Sequence, residues 1–278
     1  MSYQKTNLID RLFSGKVALS IIKAHLREKL VYRFDLIVGL IRVFIALLVF
    51  RYLWVALYSG QETYAGVTLK QTLTYTIISI ILRPLFQGNS AITEVSQRIR
   101  TGNIVFDIAR PVYYGDLLLF QAVGKSIAAI IFSSLPLFGL ALLLLDLQLP
   151  TSYITWIAFL ISLMLGYITA FLIDFILSLF GFWVTNVSGF LFAKWNIIDL
   201  LGGIYIPLWF FPPSLKNIAM FLPFRGISYT PVAIFVNYVD GDQVLNEFGL
   251  QIAWISFLFF ISRLIYISLV KKLEVQGG

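Results

Sequence analysis

The sequence predicts an all-α, polytopic membrane protein, and two observations carry that prediction. Hydrophobic residues make up 59% of the chain and charged residues only 13%, with a mean hydropathy of +0.87, whereas a soluble domain carries about 25% charged residues. The apolar residues also gather into long runs between short polar islands, and several runs reach the roughly 20 residues that a membrane-crossing helix needs. The remaining composition narrows the chemistry. Absence of cysteine excludes disulfides and thiolate metal sites, and a single histidine leaves no imidazole cluster. The formal charge of +7 reads, in so apolar a chain, as loop lysines and arginines facing an anionic inner leaflet and not as a nucleic-acid surface. Met1 to Lys5 do not lead straight into an apolar run, so no cleavable signal peptide is expected.

Taken in order, residues 7–33 read as an N-terminal cytosolic, interfacial helix. Leu8, Leu12, Val17, Ile21, Ile22, Leu26 and Leu30 recur at roughly helical spacing, with Lys16, Lys23 and Arg27 on another side. Six transmembrane helices are predicted over 34–58, 71–87, 116–145, 153–181, 195–211 and 248–270. The stretch 89–115 is a polar island on which the reading turns. It carries Arg98, Arg100 and Arg110 against Glu94 and Asp107, and Arg100-Thr101-Gly102-Asn103 and Arg110-Pro111 punctuate it into two short helices and a turn. Between the fifth and sixth spans, Pro212, Pro213, Pro223 and Pro231 break an apolar, aromatic segment into pieces too short to cross. Broken backbone at membrane depth must be buried in protein or line a wet cavity, so 212–237 is expected to form short re-entrant helices. No repeat or linker divides the chain, and 1–278 reads as one domain.

Six spans put both termini on one side. One face collects Lys5, Arg11, Lys16, Lys23, Arg27, Lys29, Arg33, Arg98, Arg100, Arg110, Lys194, Lys271 and Lys272, while the other has Lys70, Lys216 and Arg225. The positive-inside rule assigns the first face, and with it the island 89–115, to the cytosol.

Charges inside the predicted spans are the first functional candidates. Arg42, Arg83, Lys125, Asp174 and Arg263 fall near one level in the cytosolic half, counting about 1.5 Å per residue, and Arg51 approaches the outer surface. The cations can snorkel to headgroups. Asp174 is too short to do so and is expected to be paired, with Lys125 or Arg83 as partner. Gly124-Lys125-Ser126 ends like a phosphate-binding loop, but Leu119 stands where that loop needs glycine, and the segment lies in an apolar run. No carboxylate pair, Ser/His/Asp set or His-Glu-x-x-His spacing is present, and Asp240-Gly241-Asp242 reads as a solvated turn. Most aromatics lie near span ends, as interfacial belts require. Tyr205, Trp209, Phe210 and Phe211 instead form a candidate lining for a substrate path.

This pattern resembles the membrane subunit of an ABC exporter of the second type, an ABC-2 permease. The residues that carry the resemblance are Glu94-Val95-Ser96-Gln97-Arg98-Ile99-Arg100-Thr101-Gly102, Arg110-Pro111, Ile206-Pro207, Phe211-Pro212, Leu222-Pro223-Phe224 and Tyr229-Thr230-Pro231. It implies a cytosolic coupling helix between spans two and three, on which Glu94, Arg98, Arg100 and Gly102 meet a separate cytosolic ATPase. It also implies a second permease subunit, identical or homologous, across a shared path. ATP and Mg would then belong to the partner ATPase, with no cofactor on this chain. The implied location is a bacterial plasma (inner) membrane with both termini cytosolic, with the lipid bilayer and no nucleic acid among the partners. A stand-alone ion-coupled secondary transporter or channel, using Asp174 and the basic cluster as a relay, is the alternative. A membrane-embedded enzyme lacks a catalytic set.

Overall fold

A computed structural model describes residues 8–87, 95, 97, 98, 101, 114–180 and 188–276. It is helical apart from one tight hairpin. Helix α1 (Leu8–Val31) leads into α2 (Arg33–Tyr58). The hairpin β1 (Thr63–Tyr64) and β2 (Val67–Thr68) turns on Ala65 and Gly66, at φ of 53° and 78°, as a two-residue turn of this hand requires. Helix α3 (Leu69–Gln87) follows. Beyond the island, α4 (Tyr114–Ala129) runs through a π-helical turn (Ile130–Ser134) into α5 (Leu135–Leu144). Then come α6 (Tyr153–Leu179), α7 (Ser188–Leu201), α8 (Pro213–Phe221), α9 (Tyr229–Phe235) and α10 (Asp242–Gln276).

Among the described residues four helical stretches, not the six predicted, are long and apolar enough to cross a membrane: Arg33–Tyr58, Leu118–Leu144, Tyr153–Leu179 and Asp242–Ser268. The other two fail for different reasons. Helix α3 has 19 residues but carries Lys70, Arg83 and a string of hydroxyls, Thr72, Thr74, Thr76 and Ser79, all fully buried in protein. It is an interior helix, lined by groups that lipid would not solvate. Helix α7 has 14 residues, about 21 Å at 1.5 Å per residue, short of the roughly 30 Å of hydrocarbon. It stops at Gly202 and Gly203, where φ of the latter is +68°. A side chain there would be strained and would also meet the Tyr75 hydroxyl at 3.0 Å.

The re-entrant helices predicted over 212–237 are corrected too. The segment is a relay of short helices, α8, a 3-10 turn (Pro223–Gly226) and α9, and every residue of α9 is buried in protein. Prolines at helix starts, with no N–H to leave unpaired, explain the breaks. No coupling-helix pattern emerges among the described residues either, because most of 89–115 lies outside them.

Helix α6 is the centre of the fold. Ser152 caps it by accepting from the Ile154 N–H at 3.2 Å, and from Thr169 to Phe175 it is buried on every side, as only an internal helix can be. It packs along α10, α9 and the 3-10 turn. At Gly166 the approach is closest: a Cβ would lie 2.5 Å from the Gly226 carbonyl oxygen and 2.9 Å from that of Ile227. Both obstacles are backbone and cannot swing aside. Gly166→Ala is therefore expected to cost about 1–3 kcal/mol by overpacking, read as a lower melting temperature in detergent, with Gly166→Val worse. Helix α3 is tied to α4 and the π turn by two hydroxyls. Ser126 donates to the Leu85 carbonyl at 2.9 Å and Ser134 to that of Ile81 at 2.8 Å. The first of these carbonyls lies in the last turn of α3, where helical partners run out.

Candidate functional site

Two ion pairs converge on α7, one buried and one partly buried. Its Lys194 ammonium donates to Oδ1 of Asp174 on α6, and both side chains are 2% exposed. Lys194 also lies 3.5 Å from the ring centroid of Trp195. Burial pushes the ammonium below the ordinary lysine range, and the Asp174 carboxylate pushes it back up. Five residues on, Asp199 takes Arg83 of α3 as a fork: Nε donates to Oδ1 at 2.9 Å and Nη2 to Oδ2. The short helix is thus clamped to α6 at its middle and to α3 near its C-terminal end, by charges of opposite sign.

The expectation that Asp174 is paired holds, with a different partner from those named. Lys194, which the sequence reading left at the edge of a cytosolic loop, takes that place, and Arg83 is engaged by Asp199. Asp199 went unremarked in the sequence, although an acid inside the apolar run 195–211 was the signal to look for. Lys125 on α4 and Arg263 on α10 are half-buried, and Arg42 on α2 is exposed. Among the described residues the structure thus pairs Asp174 with Lys194 and Arg83 with Asp199.

A third polar centre, on Arg225, was also missed. Its Nη2 donates to both Glu247 carboxylate oxygens at 2.6 Å, and Thr230 donates to one of them at 2.9 Å. Beside it, Gln251 donates to the carbonyls of Gly226 at 2.7 Å and Ser162 at 3.0 Å. This group locks the 3-10 turn and α9 to α10 and α6. The sequence hid it because Arg225 sat in the segment read as re-entrant helices and Glu247 in the polar stretch just before the last predicted span.

The four aromatics proposed for a path separate. Trp209 and Phe211 belong to the buried core, where Trp209 packs edge-on against Tyr75 at 4.7 Å and tilted on Tyr238 at 4.5 Å. Phe210 stacks on Trp54 at 5.1 Å. Tyr205 lines a cleft. It stacks on Phe50 at 5.4 Å and lies under the Arg83 guanidinium at 5.4 Å, and the cleft, of about 690 Å³, lies between α2, α3 and α5. Arg42 and Arg83 line the same cleft. A second cleft of about 350 Å³, bordered by Phe192, Trp195 and Asn196, opens on the other side of the Arg83–Asp199 pair.

Of the island residues, Glu94, Arg100 and Gly102 lie outside the described residues. Arg98 is helical and half-buried, and Thr101 is exposed. The Thr101 N–H and hydroxyl both donate to the Gln97 carbonyl at 3.0 Å. Val95 is fully buried among Leu118 and Ala122 of α4 and Phe171, Phe175 and Leu179 of α6. Among the described residues no group of His, Asp or Glu could hold a metal ion.

A comparison with individual curated proteins finds no match. A family model described as ABC-2 family transporter protein matches residues 40–277, from the first third of α2 past the end of α10. The match covers all four candidate spans but for the start of the first, both ion pairs on α7 and the part of the cleft from Leu40 onward, Arg42 and Arg83 included. This chain is an integral membrane protein and belongs to the ABC-2 family of transporter proteins.

Proposed function

We propose that the chain is the permease subunit of an ATP-driven exporter, working as a dimer with an identical or homologous subunit and drawing its energy from a separate cytosolic ATPase. The observation that carries this reading is the family match over 40–277 in a chain whose sequence holds no nucleotide-binding loop of its own. ATP and Mg are then bound by the partner. The stretch 89–115 supplies the ATPase contact through Glu94, Arg98, Arg100 and Gly102. Its anchor supports this role: Val95 is seated against α4 and α6, so a push on the island reaches the helix that carries Asp174. Through Lys194 the push continues to α7, and through Asp199 to Arg83 beside the cleft. Two rigidly paired charges on a short helix transmit a displacement better than a loop would, because a desolvated pair is costly to break. The bilayer is a bacterial plasma membrane, with both termini in the cytosol.

The test is reconstitution. The ATPase that co-purifies with the chain from its native membrane, reconstituted with it in proteoliposomes, should drive export in proportion to ATP hydrolysed. A Thr101→Cys variant in intact cells should react only with a membrane-permeant thiol reagent. Export driven by an ion gradient with no ATPase present would instead establish the secondary-transporter alternative, and labelling of Cys-substituted Thr101 from outside would remove the ATPase contact.

A further inference from the structure

The 690 Å³ cleft is of the size that holds small molecules, about 300–1,000 Å³, and its chemistry is uneven. Its lining is mixed: Leu40 and Val43 from α2 and Ile80 from α3 form an apolar part, and Lys29 joins the acids at the α1–α2 end. Two guanidiniums also line the cleft. Arg83 is held on one side by Asp199 and stacked on Tyr205. Arg42 is exposed nine residues into α2, about 14 Å from its start at 1.5 Å per residue, and among the described residues it has no ion-pair partner. The acids of the cleft, Glu28 and Asp35, lie at its α1–α2 end, where Glu28 is bonded to His25 at 3.1 Å. An arginine can snorkel from this depth, but a guanidinium inside an apolar helix is a functional candidate, and its fork geometry suits a phosphate or carboxylate. A cationic cargo would meet two like charges, and a neutral one would leave Arg42 unanswered.

We propose that the cleft between α2, α3 and α5 binds an amphipathic anion, its acidic head on Arg42 and Arg83 and its apolar body along Leu40, Val43 and Ile80. Binding does not depend on the exporter reading. Only the consequence, that this ligand is exported or controls export, rests on it.

The test uses the full chain alone, without ATPase, in phosphatidylcholine nanodiscs. Three fluorescent probes share a dodecyl chain and differ in the head: phosphate ester, hydroxyl or trimethylammonium. Below micellar concentration, fluorescence anisotropy should show the phosphate binding at least about ten-fold tighter than the alcohol, the scale of one charged hydrogen bond, with the ammonium weakest. Arg42→Gln should erase that preference and Arg42→Lys should keep most of it. Arg27→Gln, which removes an exposed cation outside the cleft, should leave it intact. An ammonium probe binding as tightly as the phosphate, or a preference that survives Arg42→Gln, would overturn the proposal. The probe order on the unmodified protein decides the matter even where a variant fails to fold. Repeating the series with phosphatidylglycerol in the nanodisc separates two sources of the same chemistry. Displacement of the phosphate probe identifies a bilayer lipid as occupant, and undiminished binding identifies an exported solute. A failed ATP-dependent export assay with the probe order intact would sink the exporter reading alone.

Discussion

Lys194→Met is expected to destabilise the protein by about 3–5 kcal/mol, the usual cost of removing one partner from a buried ion pair. Asp174 and Lys194 side chains are each 2% exposed, so neither has water to fall back on when the other is lost. The remaining carboxylate must either take up a proton or stay charged in a low-dielectric interior. Asp174→Leu alone should be damaging for the mirror reason, with an ammonium stranded beside Trp195. The double variant Asp174→Leu, Lys194→Met should recover most of the stability, since replacing both partners with apolar groups of similar size is often near neutral. Thermal unfolding of the purified chain in nanodiscs reads all three, and the double-mutant cycle isolates the pair. Should Lys194→Met melt with the parent protein, the pair does not hold α7 to α6. A contrast lies within the same helix. The Arg83 side chain is 29% exposed, so Asp199→Asn leaves a cation that water and the cleft can partly screen, and its cost should be smaller. If the double Asp174/Lys194 variant is stable yet inactive in export, the pair serves transmission and not folding, which is the role the proposed mechanism gives it.

How much of this was legible follows from what each element depends on. The four stretches Arg33–Tyr58, Leu118–Leu144, Tyr153–Leu179 and Asp242–Ser268 announce themselves by apolar length, a property of one segment alone. Helix α3 misled because its apolar part, Ile77 to Leu82, outweighed a hydroxyl-rich part whose partners lie mostly in other segments: Tyr58 for Thr72 at 2.8 Å and the Gln148 N–H for Thr74 at 2.9 Å, while Thr76 donates to the Thr72 carbonyl at 3.0 Å. Only its neighbours reveal that it is enclosed by protein. Helix α7 misled because the apolar run continues past Gly202 and Gly203, while the backbone does not. For the site, the argument that a carboxylate as short as that of Asp174 cannot snorkel gave its pairing correctly. It could not give Lys194, because a partner 20 residues away is chosen by how α7 folds back on α6. The aromatics show the same limit. Trp209, Phe211 and Tyr205 are alike in sequence, and only packing sends the first two into the core and leaves the third on a cleft.

Reversing Arg98 and Arg100 together to glutamate is expected to abolish ATP-dependent export and to lower ATPase co-purification at least about ten-fold, since like charges brought face to face at a contact cost several kcal/mol. Arginine offers an acidic or polar partner surface several fixed donors, and reversal replaces them with acceptors of the wrong sign. The obvious competing role for these residues is to obey the positive-inside rule, which would make them topology signals with no docking role. Two controls separate the roles. First, cysteine placed at Thr101 in the reversed variant should remain reachable only from the cytosol, because Lys23, Arg27, Lys29 and Arg33 still supply the inside charge. Second, Lys23→Glu with Arg27→Glu removes as much cytosolic charge from α1, whose residues at these positions are exposed, and should leave ATPase co-purification unchanged. A reversed variant that keeps its topology, its melting temperature and its export would free the island of any docking duty. One that keeps the first two and loses the third would assign it that duty, because Val95 still seats the stretch on α4 and α6 and only the charge at 98 and 100 has changed.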